Sequence, residues 1–282
     1  MIVIISRKGF DSSSGGVPSP IFPDGKMLSL PIPDKDSKIK YKDIRWNKRN
    51  VGDIVSSLTK GKIRSNFNTH LDPDLIRHSM PRLNKWSPTL GQIAAAQGHL
   101  RNQNIGPDDL FLFFGLFREI IKGDSGFRYK SGTTTKHIIW GWLQIDEIIT
   151  VDTCDRRKYR WASYHPHFHK GPDKSNTLYI AKKHLNIPGI DNKRIKGAGV
   201  FGNFNNKLQL TEEASPKPSL WKLPKWFYPS GKKPPLTYHP NLSSWHIKRD
   251  HVLLQSAAKG QEFVLDCRYY TEAMRWLNNL FC

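Results

Sequence analysis

The sequence predicts an α+β fold: a central mixed, partly barrel-like sheet with flanking helices, in a single large domain spanning residues 1–282. Three observations predict it. Apolar runs of strand length, rich in β-branched and aromatic residues, occur at Met1–Ile5, Leu110–Gly115 and His137–Ile145. Helical spacing of apolar residues occurs at Thr89–Asn104 and Tyr270–Phe281. Finally, 282 residues with 38% hydrophobic content suffice for an extensive core.

The first strand, Met1–Ile5, runs directly into Ser6-Arg7-Lys8-Gly9-Phe10-Asp11-Ser12-Ser13-Ser14-Gly15-Gly16. A core strand that ends in small, flexible residues places a polar loop at a sheet edge, where backbone N–H groups can meet an anion. Ser6, Arg7, Lys8, Gly9, Ser12, Gly15 and Gly16 are therefore candidate phosphate contacts. Asp11 is not needed to bind phosphate; it could orient Arg7, hold a ribose hydroxyl or act as a base. The competing reading is a Gly/Ser turn in which Asp11 caps a few backbone amides. The loop has neither the Gly-Lys-Ser/Thr of a phosphate-binding loop nor dinucleotide Gly spacing.

Pro18, Pro20, Pro23, Pro31 and Pro33 keep the following segment extended. Lys35–Arg49 reads as a basic surface excursion with one short strand, and Val51–Val55 as the start of a short helix. His70-Leu71-Asp72-Pro73-Asp74 reads as a helix start, with Asp72 as N-cap and Pro73 at the first helical position. Ser87-Pro88-Thr89-Leu90 repeats that signal and opens a helix from Thr89 to Asn104, closed by Gly106. His99 and Arg101 fall near its end, where the helix dipole favours positive charge.

Pro107-Asp108-Asp109 reads as a turn before a buried strand, Leu110–Gly115. A polar tip over residues 122–136 leads to the strand His137–Ile145. That order resembles the small nucleic-acid-binding barrels of the PUA and ASCH type; a generic hairpin fits it as well. Thr177–Ala181, the glycine-rich Gly197–Phe201 and Gly260–Asp266 are further strands. Residues 211–236 carry six prolines among Trp221, Trp226, Phe227 and Tyr228. So many aromatics argue for an ordered segment wrapped on the core and against a disordered linker.

The net charge of +20, from 44 Lys and Arg against 24 Asp and Glu, makes nucleic acid the leading partner and an anionic membrane surface the second. Basic residues interleave with aromatics, the two classes that neutralise phosphate and stack on bases; Arg101, Trp140, Trp142 and Tyr164 are candidates for such contacts. Three cysteines are too few for a disulfide framework or a cysteine-type zinc site. With no leader and no membrane-length apolar run expected, the protein is read as cytoplasmic.

Tyr164-His165-Pro166-His167-Phe168-His169 is the densest histidine cluster. Spacing of two puts His165, His167 and His169 on one face if the segment is extended. Three imidazoles on one face suit Zn²⁺, Ni²⁺ or Fe²⁺, but Pro166 argues against a strand and the cluster contains no carboxylate, so no metal is assigned. Instead His165 and His167 are candidate proton-transfer groups beside Asp11. His99, Tyr238, His239, Glu262 and Asp266 are secondary candidates.

Ser6–Asp34 (SRKGFDSSSGG and PSPIFPDG through LSLPIPD), GQIAAAQGHL, DLFLFFGLFR, HIIWGWLQ, HPHF, GAGVF and GQEFVLD together resemble the third of the nucleotide modification associated domain (Nmad) families, over nearly the whole chain. Asp108-Asp109 stands where the family pattern has Gly-Asp, so glycine is not expected to be essential there. The resemblance implies a role in modifying nucleic-acid bases; it implies no particular reaction, cofactor or catalytic residue. The expectation is thus an enzyme of base modification acting on DNA, RNA or a nucleotide precursor. The alternative is a non-catalytic reader of modified nucleic acid, binding through Trp140, Trp142, Tyr164 and Trp245.

Overall fold

The computed structural model describes residues 1–124, 126–189, 194–258 and 262–281. Ile2–Arg7 is the keystone strand. Val3, Ile4 and Ile5 are fully buried, as a strand covered on both faces requires. It pairs parallel to Leu110–Gly123 and antiparallel to Glu262–Asp266. The two long strands Leu110–Gly123 and Lys136–Thr150 pair antiparallel; Thr177–Ala181 and then Thr89–Gln92 continue the sheet. Ser19–Ile21, Gly126–Tyr129 and Ala198–Val200 attach alongside, giving nine strands.

The path ends at Glu262–Asp266 on one side and Thr89–Gln92 on the other, so the sheet is mixed but forms no closed barrel. The edges approach each other nonetheless, because Gln92 Nε2 donates to Glu262 Oε1. The barrel-like expectation is corrected to this: a curled sheet whose edges are joined by side chains, not by ladder hydrogen bonds. The PUA/ASCH likeness finds no support beyond the order of elements. Of the expected strand Gly260–Asp266, residues 260 and 261 lie outside the described residues.

Asp109 staples the first strand to the turn before Leu110–Gly123: Oδ1 accepts from the Ile2 N–H at 2.7 Å and Oδ2 from the Gly106 N–H at 2.9 Å. Asp108 before it has φ 70°, a left-handed conformation that glycine adopts without cost and Asp tolerates.

Three α-helices occur among the described residues: Val51–Leu58, Ala94–Asn102 and Ala273–Phe281. Asn50 caps the first by accepting from the Gly52 N–H. None is long and apolar enough to cross a membrane. Two helix expectations are corrected. Thr89–Gln92 is a strand, fixed by pairing with Thr177–Ala181, and the helix starts only at Ala94. The Ser-Pro start signal is local, and sheet pairing overrides it. Nor does His70–Asp74 begin a helix. Thr69–His70 pairs with Ile32–Pro33, Asp74 bridges to Thr89, and the intervening Asp72–Pro73 peptide is cis.

Lys35–Arg49 is more than a surface excursion. Ile39, Tyr41, Ile44 and Trp46 pack with Phe10, Phe22, Leu30 and the first helix into a second core, leaving the lysines outside. Within residues 211–236, Leu220–Pro224 pairs with His251–Gln255, which also pairs with Trp245–Ile247. Fully buried Trp221 docks this three-stranded sheet on the main one through its indole N–H, which donates to His137 Nδ1 at 2.9 Å.

Candidate active site

A cleft lies between the main sheet and the second core. Its lining includes Arg7, Lys8, Asp11, His70, Asp72 and His167. At its centre is the Asp72 carboxylate. The Gly91 N–H donates to Asp72 Oδ1 at 2.8 Å, a contact that follows from the pairing of the Asp74 and Thr89 backbones two residues away. A Cβ on Gly91 would overlap the His167 ring, so only glycine lets strand, carboxylate and imidazole meet.

Three imidazoles converge on this carboxylate. His70 Nε2 lies 3.5 Å from Oδ2, His167 Nε2 3.7 Å from Oδ2, and His165 Nε2 3.5 Å from Oδ1. The segment is not extended, as Pro166 argues: Pro166–His169 forms a 3₁₀ turn. That turn sends His165 and His167 to Asp72, while His169 does not line the cleft.

The outer ring nitrogens are fixed by neighbours. Pairing of Ile32 with His70 brings Asp34 alongside, and His70 Nδ1 lies 2.7 Å from Asp34 Oδ2. A carboxylate only accepts, so Nδ1 carries the proton. Asn176, directly before the strand Thr177–Ala181, donates from Nδ2 to the His167 carbonyl and places Oδ1 2.7 Å from His167 Nδ1. His167 Nδ1 is therefore also protonated, and its bare Nε2 faces Asp72.

The electrostatics follow from burial and pairing. The hydrogen bond from His70 holds the Asp34 carboxyl down at about 2. Burial opposes charge on His70, but Asp34 and Asp72 outweigh it and raise its pKa. Burial would raise Asp72, yet His165 and His70 hold it well below the usual carboxylate range. Burial pushes His167 down to about 3, so it is neutral at pH 7.

The N-terminal loop borders this cluster, with most of its polar groups already engaged. Asp11 Oδ1 accepts from Ser13 N (2.8 Å), Ser13 Oγ (2.7 Å) and Ser14 N (2.7 Å), an Asx turn. Arg7 donates to the carbonyls of Ala257 and Ala258. Lys8 Nζ pairs with Glu262 Oε1 at 3.0 Å, and Glu262 is buried with Oε2 unpartnered. Ser6 is buried at the strand end opposite Glu262. Gly9 lines the cleft at φ 94°; Ser12, Gly15 and Gly16 do not line it.

The remaining candidates lie elsewhere. Arg101 is exposed at the end of the second helix. His99 meets Thr237 Oγ1 at 3.3 Å and packs on Tyr238. His239 uses both ring nitrogens as a strut, to the Thr237 carbonyl and the Ala257 N–H. Asp266 binds Arg268. Trp140 lines an adjoining apolar cavity that shares Gly9 and Asp72 with the cleft, Trp142 packs on Phe201 and Phe281, Trp245 donates to the His239 carbonyl, and the Tyr164 hydroxyl donates to Asp74. The four proposed reader aromatics thus share no pocket, and none of the nine tryptophans is exposed.

Sequence reasoning missed His70, Asp72, Asp34 and Asn176. The signal for the first two was present: His70-Leu71-Asp72, read as extended, points both side chains to one face.

The family model described as nucleotide modification associated domain 3 matches residues 2–266. No curated protein and no solved structure matches the chain. The match runs from the keystone strand through its partner Glu262–Asp266 and takes in every residue of the cleft, and the chain belongs to the nucleotide modification associated domain 3 family.

Proposed function

We propose that this chain is an enzyme that modifies a base of DNA, RNA or a nucleotide precursor, with its chemistry in the Asp72 cleft. The observation that carries this reading is the convergence of His70, His165 and His167 on one buried carboxylate at the floor of a cleft rimmed by Arg7, Lys8 and Lys170. Burying an ionised carboxylate is costly, and a fold retains such a group chiefly where chemistry or a ligand uses it. The basic rim supplies attraction for a phosphate, and the family supplies the substrate class. The Asp72 cluster carries the chemistry, and Lys170 at the rim is the phosphate contact.

The test is nucleoside mass spectrometry on DNA, RNA and the nucleotide pool of cells with and without the gene. A mass present only with the gene, and lost in Asp72→Asn, supports the reading. Identical profiles in all three pools overturn it.

A further inference from the structure

We propose that His70 Nε2, His167 Nε2 and Asp72 Oδ2 form a mononuclear site for a divalent transition metal, open toward the cleft. The three ligand atoms lie within 4.8 Å of one another. A tetrahedral ion with bonds of about 2.1 Å spaces its ligand atoms about 3.4 Å apart. Asp72 Oδ2 lies 3.5 and 3.7 Å from the two imidazole nitrogens, close to that edge length.

The surrounding hydrogen bonds give the stronger argument. His167 carries its proton on Nδ1, held by Asn176, so a lone pair on Nε2 points at an anionic oxygen with no donor between them. His70 is held the same way by Asp34. Carboxylate or amide partners on the outer nitrogens are what orient metal-binding imidazoles and keep their inner nitrogens bare. Asp72 itself is set for one-oxygen ligation. Oδ1 accepts from the Gly91 N–H and faces buried His165 Nε2, which has no other partner, while Oδ2 is left for the ion.

Two histidines and one carboxylate leave coordination positions free, the arrangement of catalytic metal sites rather than closed structural ones. The ligands share the cleft with Arg7, Lys8 and Lys170, so water or a substrate oxygen entering it could complete the coordination. The site rests on the base-modification reading only for what the metal acts upon.

The purified full chain, stripped with chelator, is titrated with Co²⁺ and followed by visible absorption and by elemental analysis. One ion per chain is expected, with Zn²⁺ displacing it. Asp72→Asn and His167→Gln should each weaken binding at least a hundredfold, and His246→Gln, at an exposed histidine, should leave it unchanged. Asp34→Asn, at the cleft rim, should weaken it about tenfold. Anomalous scattering from wild-type crystals at the metal edge should give one peak in bonding distance of all three ligand atoms, a result that needs no variant to fold. Absence of stoichiometric binding, binding that survives Asp72→Asn or His167→Gln, or a peak elsewhere overturns the proposal. A chain that binds no metal yet still produces the modified nucleoside overturns the metal alone. One that binds it here but changes no nucleoside overturns only the base-modification reading.

Discussion

The cleft has two walls of opposite character. The loop Arg7–Gly16 is conspicuous in the sequence, rich in glycine, serine and charge, yet its groups largely satisfy one another: Asp11 holds Ser13 and Ser14, Lys8 holds Glu262, and Arg7 holds two carbonyls. The His70–Asp72–His167 wall is inconspicuous in the sequence, assembled from segments far apart in the chain, and its two inner imidazole nitrogens stand 3.5 and 3.7 Å from one carboxylate oxygen, at or beyond the limit of a hydrogen bond. Internally satisfied polar groups build structure. Preorganised, unsatisfied ones are where a fold retains free energy for binding or chemistry.

The sharpest way to break that contrast is Asp72→Asn. Loss of the central charge should reduce the modified nucleoside about a hundredfold or more, read by mass spectrometry. A residual above about one third of wild type would place the chemistry elsewhere in the molecule.

Burial alone is separated from chemistry by His137, buried outside the cleft and pushed down to about 3, chiefly by burial. Its pKa is depressed on folding, so its contribution to stability is complete above the unfolded value near 6.5 and is lost as pH falls toward 3. Urea unfolding of His137→Gln should show a loss of stability between pH 7 and pH 4 that is smaller than in wild type by on the order of 3 kcal/mol. Nucleoside modification at pH 7 should persist in that variant.

Gly91→Ala tests the tight side of the cleft. The added methyl must displace the His167 ring, and the expected cost is about 1–3 kcal/mol in thermal unfolding. The accompanying loss of modification is expected to be about tenfold, because the imidazole is shifted and not removed. The smallest effect belongs to Asp11→Asn. The amide oxygen can still accept all three loop hydrogen bonds, so modification should change by less than about threefold. A loss as large as that of Asp72→Asn would return Asp11 to the chemistry.

These two walls also explain how much could be read from residues alone. Met1–Ile5, Leu110–Gly115, His137–Ile145 and Thr177–Ala181 were legible as strands because they are buried enough to read as largely apolar runs, whereas the outer ends of the two long strands carry Arg118, Glu119, Asp146 and Glu147 and were not. His165 and His167 were legible as density of one residue type. Asp72 was not, because Asp-Pro is an N-cap signal wherever it stands, and only the pairing of Thr69–His70 with Ile32–Pro33 turns it inward. Asp34 and Asn176 have no chemical signature of their own; their roles exist only through register, in which a neighbouring strand residue sets the side chain opposite an imidazole. The basic stretch Lys35–Arg49 misled for a related reason: its apolar residues are spaced among lysines, and they bury against a helix that a local reading does not bring near.

The side-chain bond between Gln92 and Glu262 has a mechanical consequence. Along most of the sheet, separating neighbouring strands means breaking a ladder of backbone hydrogen bonds. At this seam the two edges are joined by Gln92, which grips the Glu262 carboxylate that Lys8, at the end of the adjoining keystone strand, also holds. One side chain on each edge thus closes a gap that elsewhere in the sheet takes a whole backbone ladder, so a single substitution at Gln92 or Glu262 removes the bond that joins the edges.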